Sequence, residues 1–361
     1  MGLAWWRWPG AAVAISAQSY SRGPLDPPAQ LSRCHPDAGT SATVVGLGPM
    51  SAATYPRTMK AHVTEGHADF DGHSTWYRVV GDLDAARTND GPAPLVTLHG
   101  GPGATHDYLL SMTDLAHDGR AVVFYDQTGN GNSTHFPDRS AEFYTIELFA
   151  RELANLVNYL GIRGRYHLLG QSWGGMLAQE HAIAQPSGLR SIVLSNTAAS
   201  YAGFAAEANA LRSLLPTEVR ATLSKHEAAH TTDEPEYLKA CDVFYARHLC
   251  RLDPWPPEVI RSFDLLEADP TVYHTTNGPS EFHITGSFKN WSALGRLKSI
   301  DVPALVISGR YDEATPELQD DLVGEIETVE QIIFEESSHM PFWEERDAYM
   351  AAVSNFLHRQ D

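Results

Sequence analysis

Three residues far apart in the chain have the types and the order that nucleophilic acyl chemistry requires: Ser172, Asp312 and His339. A serine hydroxyl attacks poorly until a base takes its proton, and the base needs a third group to fix its tautomer. Ser172 sits between glycines in Gly170-Gln171-Ser172-Trp173-Gly174. A short apolar run, His167-Leu168-Leu169, precedes this turn, and a helix former's run, Met176 to Glu180, follows it. Strand, tight turn and helix together lift a serine hydroxyl above a sheet and aim a helix N-terminus at the reacting centre. Without partners, the same turn is only a small-residue β-to-α connection with a buried serine. Asp312 follows the apolar run Ala304–Ile307, and His339 follows Gln331–Phe334. Both fall in loops just after strands, at the edge where the turn around Ser172 also ends. His339 is the expected base and Asp312 its orienter. His99, His106 and His167 are rivals with weaker placement.

The tetrahedral intermediate of such a reaction needs N–H donors for its oxyanion. The main-chain N–H of Trp173, next to the serine, is one expected donor. The second is expected from His99-Gly100-Gly101-Pro102-Gly103, with Gly101 as the donor, because glycines let backbone approach a substrate. This loop lacks the lysine and spacing of a phosphate cradle.

The elements that must position these groups alternate. Asp71-Gly72 marks a hairpin between strands near Lys60–Val63 and Ser74–Val80, and Asn89–Pro92 marks a second turn. Leu95–Leu98, Ala121–Tyr125 and Ser191–Leu194 read as buried parallel strands, with amphipathic helices between them. Ile146, Phe149, Leu153, Leu156, Val157 and Leu160 recur at helical spacing. This predicts an α/β class with a mainly parallel central sheet flanked by helices. From Tyr201 to Gly286 the strand pattern stops, and prolines 235, 254, 256 and 257 punctuate amphipathic helices. The expected organisation is a core of residues 59–200 and 287–361 with a helical cap over 201–286. A last helix carries Tyr349, Val353, Phe356 and Leu357 on one face. The order Ser, Asp, His in this setting is that of the α/β-hydrolase fold.

Composition narrows the partners. A net charge of −19 over 361 residues argues against nucleic acid or an anionic membrane. No apolar run approaches a membrane span. Cys34, Cys241 and Cys250 form no disulfide framework, and no His/Cys cluster has metal-ligand spacing. No metal or organic cofactor is expected, and oligomeric state is not legible. Residues 1–58, with Trp5, Trp6 and Trp8 but no periodicity, read as a structureless or non-native extension, with Met50 or Met59 as the true start. Ala11–Ala17 is a poor secretory core, which points to a cytoplasmic location.

In order, HGGPG, DQTGNG, GQSWGG, NGPSEF, SGRYDEATP and SSH resemble the proline iminopeptidase family of α/β-hydrolases. That family includes tricorn-associated iminopeptidases and the similar L-amino-acid and L-proline amide hydrolases. The likeness runs from about residue 60 to the end, through the cap segment Phe244–Leu249. It implies Ser172, Asp312 and His339 as a triad, and Glu281 and Glu313 as anchors for a substrate's free α-amine. A cationic amine entering a covered pocket loses its hydration and needs carboxylates nearby. Phe244, Tyr245 and Phe282 are either an apolar side-chain pocket or plain cap core. The expected activity is release of an N-terminal proline or other apolar residue from short peptides through an acyl-enzyme. The alternatives are an amidase of L-amino-acid amides and, more distantly, an esterase or a non-catalytic binding protein.

Overall fold

The computed structural model describes Thr43–Val44 and residues 62–88 and 91–361. Nine strands form one sheet: β1 Thr43–Val44, β2 Val63–Phe70, β3 His73–Val80, β4 Leu95–Leu98, β5 Val122–Tyr125, β6 Tyr166–Gln171, β7 Leu189–Ser195, β8 Ala304–Gly309 and β9 Val329–Phe334. They lie in the order β1-β9-β8-β7-β6-β4-β5-β3-β2. Among these strands only β3 is reversed, pairing antiparallel with β2 on one side and β5 on the other. β4, β5, β6 and β8 are buried along their whole length. Continuous apolar runs therefore form here because both faces of a parallel sheet are covered. At the hairpin, Asp71 and Gly72 both take positive φ (48° and 83°), as a two-residue turn between Phe70 and His73 demands.

Of residues 1–58, only Thr43–Val44 is described, and it extends the sheet beside β9. The rest of the expected extension lies outside the described residues, as do Asn89 and Asp90 of the second turn.

Helices cover the sheet: α1 Leu83–Arg87, α2 Ile146–Tyr159, α3 Trp173–Ile183, α9 Gln319–Glu325, α10 Pro341–Glu344 and α11 Arg346–His358. Between β7 and β8 come α4 Tyr201–Ser213, α5 Thr217–Ala229, α6 Pro235–His248, α7 Pro257–Ala268 and α8 Thr271–Thr276. α2 begins where Thr145 Oγ1 accepts the Leu148 N–H, and it buries Phe149, Leu153, Leu156 and Val157. α6 and α7 start at Pro235 and Pro257, where proline's missing N–H costs nothing. α11 buries Tyr349, Val353, Phe356 and Leu357 on one side.

The tightest packing lies where β6 turns into α3. A Cβ on Gly170 would stand 2.1 Å from the Gly174 carbonyl oxygen, and one on Gly174 would stand 2.0 Å from the Leu98 carbonyl oxygen. Neither neighbour is a side chain that can swing away. Gly174→Ala should therefore lower unfolding stability by about 3 kcal/mol, whereas Gly164→Ala, with open space around it, should stay within about 0.5 kcal/mol. Urea unfolding midpoints of the two variants check this.

Candidate active site

Loops at the carboxyl ends of β4, β5, β6, β7, β8 and β9 converge over the sheet. Ser172 stands at the β6–α3 turn with φ 55° and ψ −124°, a conformation that L-residues avoid. Backbone bonds hold it there. Its N–H donates to Ser195 C=O (3.0 Å), while its C=O accepts from Gly175 N–H (2.8 Å) and Thr197 Oγ1 (2.7 Å).

His339 Nδ1 lies 2.6 Å from Asp312 Oδ1. A carboxylate can only accept, so Nδ1 carries the hydrogen and Nε2 is left as the basic nitrogen. Asp312 is saturated with donors. Oδ1 also accepts the Ala314 N–H (2.9 Å), and Oδ2 accepts Asn196 Nδ2 (2.6 Å). Asn196 is itself fixed by Ser195 Oγ (2.6 Å). Asn196 carries no signal in the sequence beyond its position just after a buried strand.

A second chain joins the glycine loop to the histidine loop. Gly100 N–H donates to the Tyr108 hydroxyl (2.6 Å), which donates to Gln171 Oε1 (2.5 Å). Gln171 Nε2 then donates to His339 C=O (3.2 Å). Glu344, at the end of α10, accepts from Ser338 N–H (2.7 Å), Ser338 Oγ (2.8 Å) and Met340 N–H (3.3 Å), on both sides of His339. It also accepts the Arg251 N–H (2.7 Å) from beyond α6. Tyr108 bonds Gln171 across 63 positions and Gln171 bonds His339 across 168, so no local pattern marks either residue.

Gly101 (φ 108°) and Trp173 line a cavity with Ser172. Trp173 is the first residue of α3, so its N–H has no partner within the helix and points toward the helix's positive end. Met176, Ala198, Tyr201, Phe204 and Ala314 form apolar wall, and Asn277 and Glu281 close it from the inserted helices. The atom-free space within these walls, part of it open to solvent, is about 270 Å³. Phe244 and Phe282 pack on each other at 4.9 Å and, with Tyr245, do not line this space. They are core of the inserted helices.

Glu281 lines this cavity, and Glu313 stands beside His339, near enough to Glu281 for their charges to interact. Glu313 is 1 % exposed, its Oε1 is 3.7 Å from His339 Nε2, and its Oε2 has no hydrogen-bond partner. Glu281 keeps some surface facing the cavity and accepts from the Tyr273 hydroxyl at 2.6 Å. Among the described residues no arginine or lysine pairs with either carboxylate. Burial pushes the Glu313 carboxyl well above the usual range, and the charges of Glu281 and Asp312 add to this. Burial also raises Glu281, against the Tyr273 hydrogen bond and the nearby His339.

The rival histidines are committed elsewhere. Burial lowers His99 to about 4; its ring accepts the Gln127 N–H (3.0 Å) and faces Gly100 C=O (3.0 Å). His106 pairs with Asp126 at 2.8 Å. His167, near the start of β6, bonds Ser191 Oγ at 2.7 Å. Among the described residues no cluster of His, Cys, Asp or Glu could hold a metal.

With this geometry in hand, comparison with known proteins is informative. Residues 93–346 match the family described as α/β hydrolase fold. A proline iminopeptidase of Thermoplasma volcanium is 34% identical over 82% of this chain and 97% of its own. One from Saccharolobus solfataricus is 36% identical over 83% and 95%. The crystal structure of proline iminopeptidase from Mycobacterium smegmatis superposes with a TM-score of 0.74 at 44% identity, covering 82% of this chain and 98% of that one. The crystal structure of VinJ gives 0.80 at 47%, covering 82% and 99%. The chain belongs to the proline iminopeptidase family of α/β-hydrolases.

Glu344 takes four hydrogen bonds from groups flanking His339 and from Arg251. Glu344→Ala should leave them without their acceptor and cost about 2–3 kcal/mol of stability. Thermal unfolding beside a Glu335→Ala control, whose carboxylate is a solvated partner of Arg310, measures the difference.

Proposed function

We propose that this member of the proline iminopeptidase family is a serine hydrolase that releases an N-terminal proline or other apolar residue from short peptides. The observation that carries this reading is one cavity. Ser172 and Glu281 both line it; Glu313 lies 3.7 Å from Nε2 of the His339 that Asp312 holds, and among the described residues neither carboxylate pairs with a lysine or arginine. An esterase has no use for the carboxylates; an aminopeptidase needs them. The relatives named above as proline iminopeptidases support the same substrate class.

In this mechanism His339 Nε2 takes the Ser172 proton as Oγ attacks the scissile carbonyl carbon. The Gly101 and Trp173 N–H groups hold the resulting oxyanion, each such donor being worth roughly 10²–10³ in rate. His339 returns the proton to the leaving nitrogen, the C–N bond breaks, and the shortened peptide departs as an amine. Water, deprotonated by His339, then attacks the Ser172 ester, releasing the amino acid and restoring the hydroxyl. Asp312 keeps His339 in the working tautomer and stabilises it while it carries both protons. Glu281 and Glu313 hold the substrate's α-ammonium, whose fixed distance from Ser172 limits cleavage to the first peptide bond. The apolar wall of Met176, Ala198, Tyr201, Phe204 and Ala314 suits an apolar side chain.

The test compares prolyl and alanyl p-nitroanilides, prolinamide and a proline-initiated tripeptide with their N-acetylated forms. Free-amine substrates should turn over and acetylated ones should be at least a hundredfold slower. Ser172→Ala should lose about 10³-fold or more in kcat. Equal turnover of acetylated compounds would remove the amine anchor. The tripeptide-to-amide ratio separates peptidase from amidase.

The carboxylate pair also makes a pH prediction. The folded-state pKa of Glu313 lies above its ordinary value of 4.5. Its contribution to stability is then fully present below that value and is lost as pH rises through the raised one. Glu313→Gln removes this loss. At pH 8 the variant should be about 1 kcal/mol or more stabler than the parent, with the gap shrinking toward pH 5. Its kcat/KM on free-amine substrates should fall at least tenfold. Urea unfolding at both pH values, beside kinetics, reads the two effects.

A further inference from the structure

Asn277 stands at the end of α8, four residues before Glu281, and lines the cavity that contains Ser172 and Gly101. Its backbone is fully used. The N–H donates to Tyr273 C=O (2.8 Å), and the C=O accepts from Thr285 N–H (3.0 Å) and Gly286 N–H (2.7 Å). Its side-chain Nδ2 donates to Ser280 C=O at 3.4 Å, which sets the orientation of the amide. Oδ1 is therefore the free end. It is buried, in a residue only 1 % exposed, and has no hydrogen-bond partner. A buried acceptor without a donor is unfavourable, and native proteins rarely keep one without use.

We propose that Asn277 Oδ1 is a third acceptor for the substrate's α-amine and admits primary amines beside the secondary amine of proline. This rests on the amine-anchor reading of Glu281 and Glu313. A primary α-ammonium brings three N–H donors into the cavity, and each needs an acceptor once water is excluded. Two carboxylates hold two of them and Asn277 the third. An N-terminal proline is a pyrrolidinium with only two N–H donors, and a ring carbon occupies the third direction. It gains nothing from Asn277. The residue thus acts on breadth of substrate and leaves the bond-breaking steps to Ser172 and His339.

The measurement is kcat/KM for alanyl and N-methylalanyl p-nitroanilides, which share side chain and leaving group and differ by one N–H. Prolyl and N-acetylalanyl p-nitroanilides complete the set. The enzymes are the parent, Asn277→Ala and the volume-conserving Asn277→Leu. The alanyl to N-methylalanyl ratio should fall roughly ten- to a hundredfold in both variants, as expected for losing a hydrogen bond to a charged group. The prolyl compound should follow the N-methyl one. Any loss of folded enzyme cancels in the ratio. An equal loss on every substrate, partial or complete, would mark Asn277 as structural and overturn the inference while leaving the anchor intact. If the parent cleaves the N-acetyl compound as fast as the free amine, the anchor reading itself fails and this inference goes with it.

Discussion

No atom larger than hydrogen fits between the Gly174 α-carbon and the carbonyl oxygen of Leu98. That contact presses the first turn of α3 against the end of β4, and the rest of the site depends on it. The loop that follows β4 carries Gly101, and the helix start carries Trp173. Because the two elements touch, Gly101 and Trp173 line the same cavity as Ser172. The strained φ of Ser172 has the same origin: a strand and a helix this close leave only a sharp turn between them. Gly100 extends the contact, since a Cβ there would lie 2.9 Å from that of Ser172. A residue with a side chain at any of these positions would part Gly101 and Trp173, the proposed oxyanion donors, from Ser172.

Asp312 and Glu313 are neighbours in sequence with opposite surroundings. Asp312 accepts from His339, Asn196 and the Ala314 N–H, so its burial is offset by three donors. Glu313 is as deeply buried, yet Oε2 has no donor and no lysine or arginine stands near among the described residues. A folded chain selected for stability alone would put an apolar side chain there. Asp312 is satisfied by the protein and fixes the His339 tautomer. On the proposed function Glu313 is left for a ligand to satisfy, and its unfavourable burial becomes affinity when a cation arrives. Asn277 Oδ1 follows the same logic with an uncharged acceptor.

Much of this was legible beforehand, for identifiable reasons. Leu95–Leu98 and Ala304–Gly309 announce themselves as apolar runs because burial on both faces leaves no room for polar alternation. Asp71-Gly72 marks the hairpin because positive φ restricts the residues that can stand there. Ser172, Asp312 and His339 stand out through local grammar, each in a loop directly after a strand. Asn196, Tyr108 and Gln171 do not, because their partners Asp312, Gln171 and His339 are brought close only by the fold. Gln171 reaches His339 across 168 positions, and no local pattern encodes such a pair. Phe244 and Phe282 show the limit from the other side. An aromatic residue looks alike in a core and in a pocket until its neighbours are known.

The inserted helices are joined to the triad's own loops. His248, at the end of α6, faces Tyr311 C=O through Nδ1 at 2.9 Å, and Glu313 N–H donates to His248 C=O at 3.2 Å. Burial lowers His248 to about 4, so the ring is neutral at physiological pH, and Nδ1 carries the hydrogen because a carbonyl can only accept. The Arg251 guanidinium stacks 3.9 Å from the centre of the Tyr311 ring, and the Arg251 main-chain N–H donates to Glu344. The end of α6 is thus bonded to the loop bearing Asp312 and, through Glu344, to the loop bearing His339. Glu281 comes from the inserted segment and Ser172 from the sheet. On the proposed function, the spacing between an amine held by Glu281 and a carbonyl at Ser172 depends in part on these bonds, beside those of Ser262 and Arg261 in α7 to Thr105 and Asp107. A reaction confined to the first residue of a peptide needs that spacing to be constant, so the polar contacts at the end of α6 bear on specificity as directly as the cavity wall does.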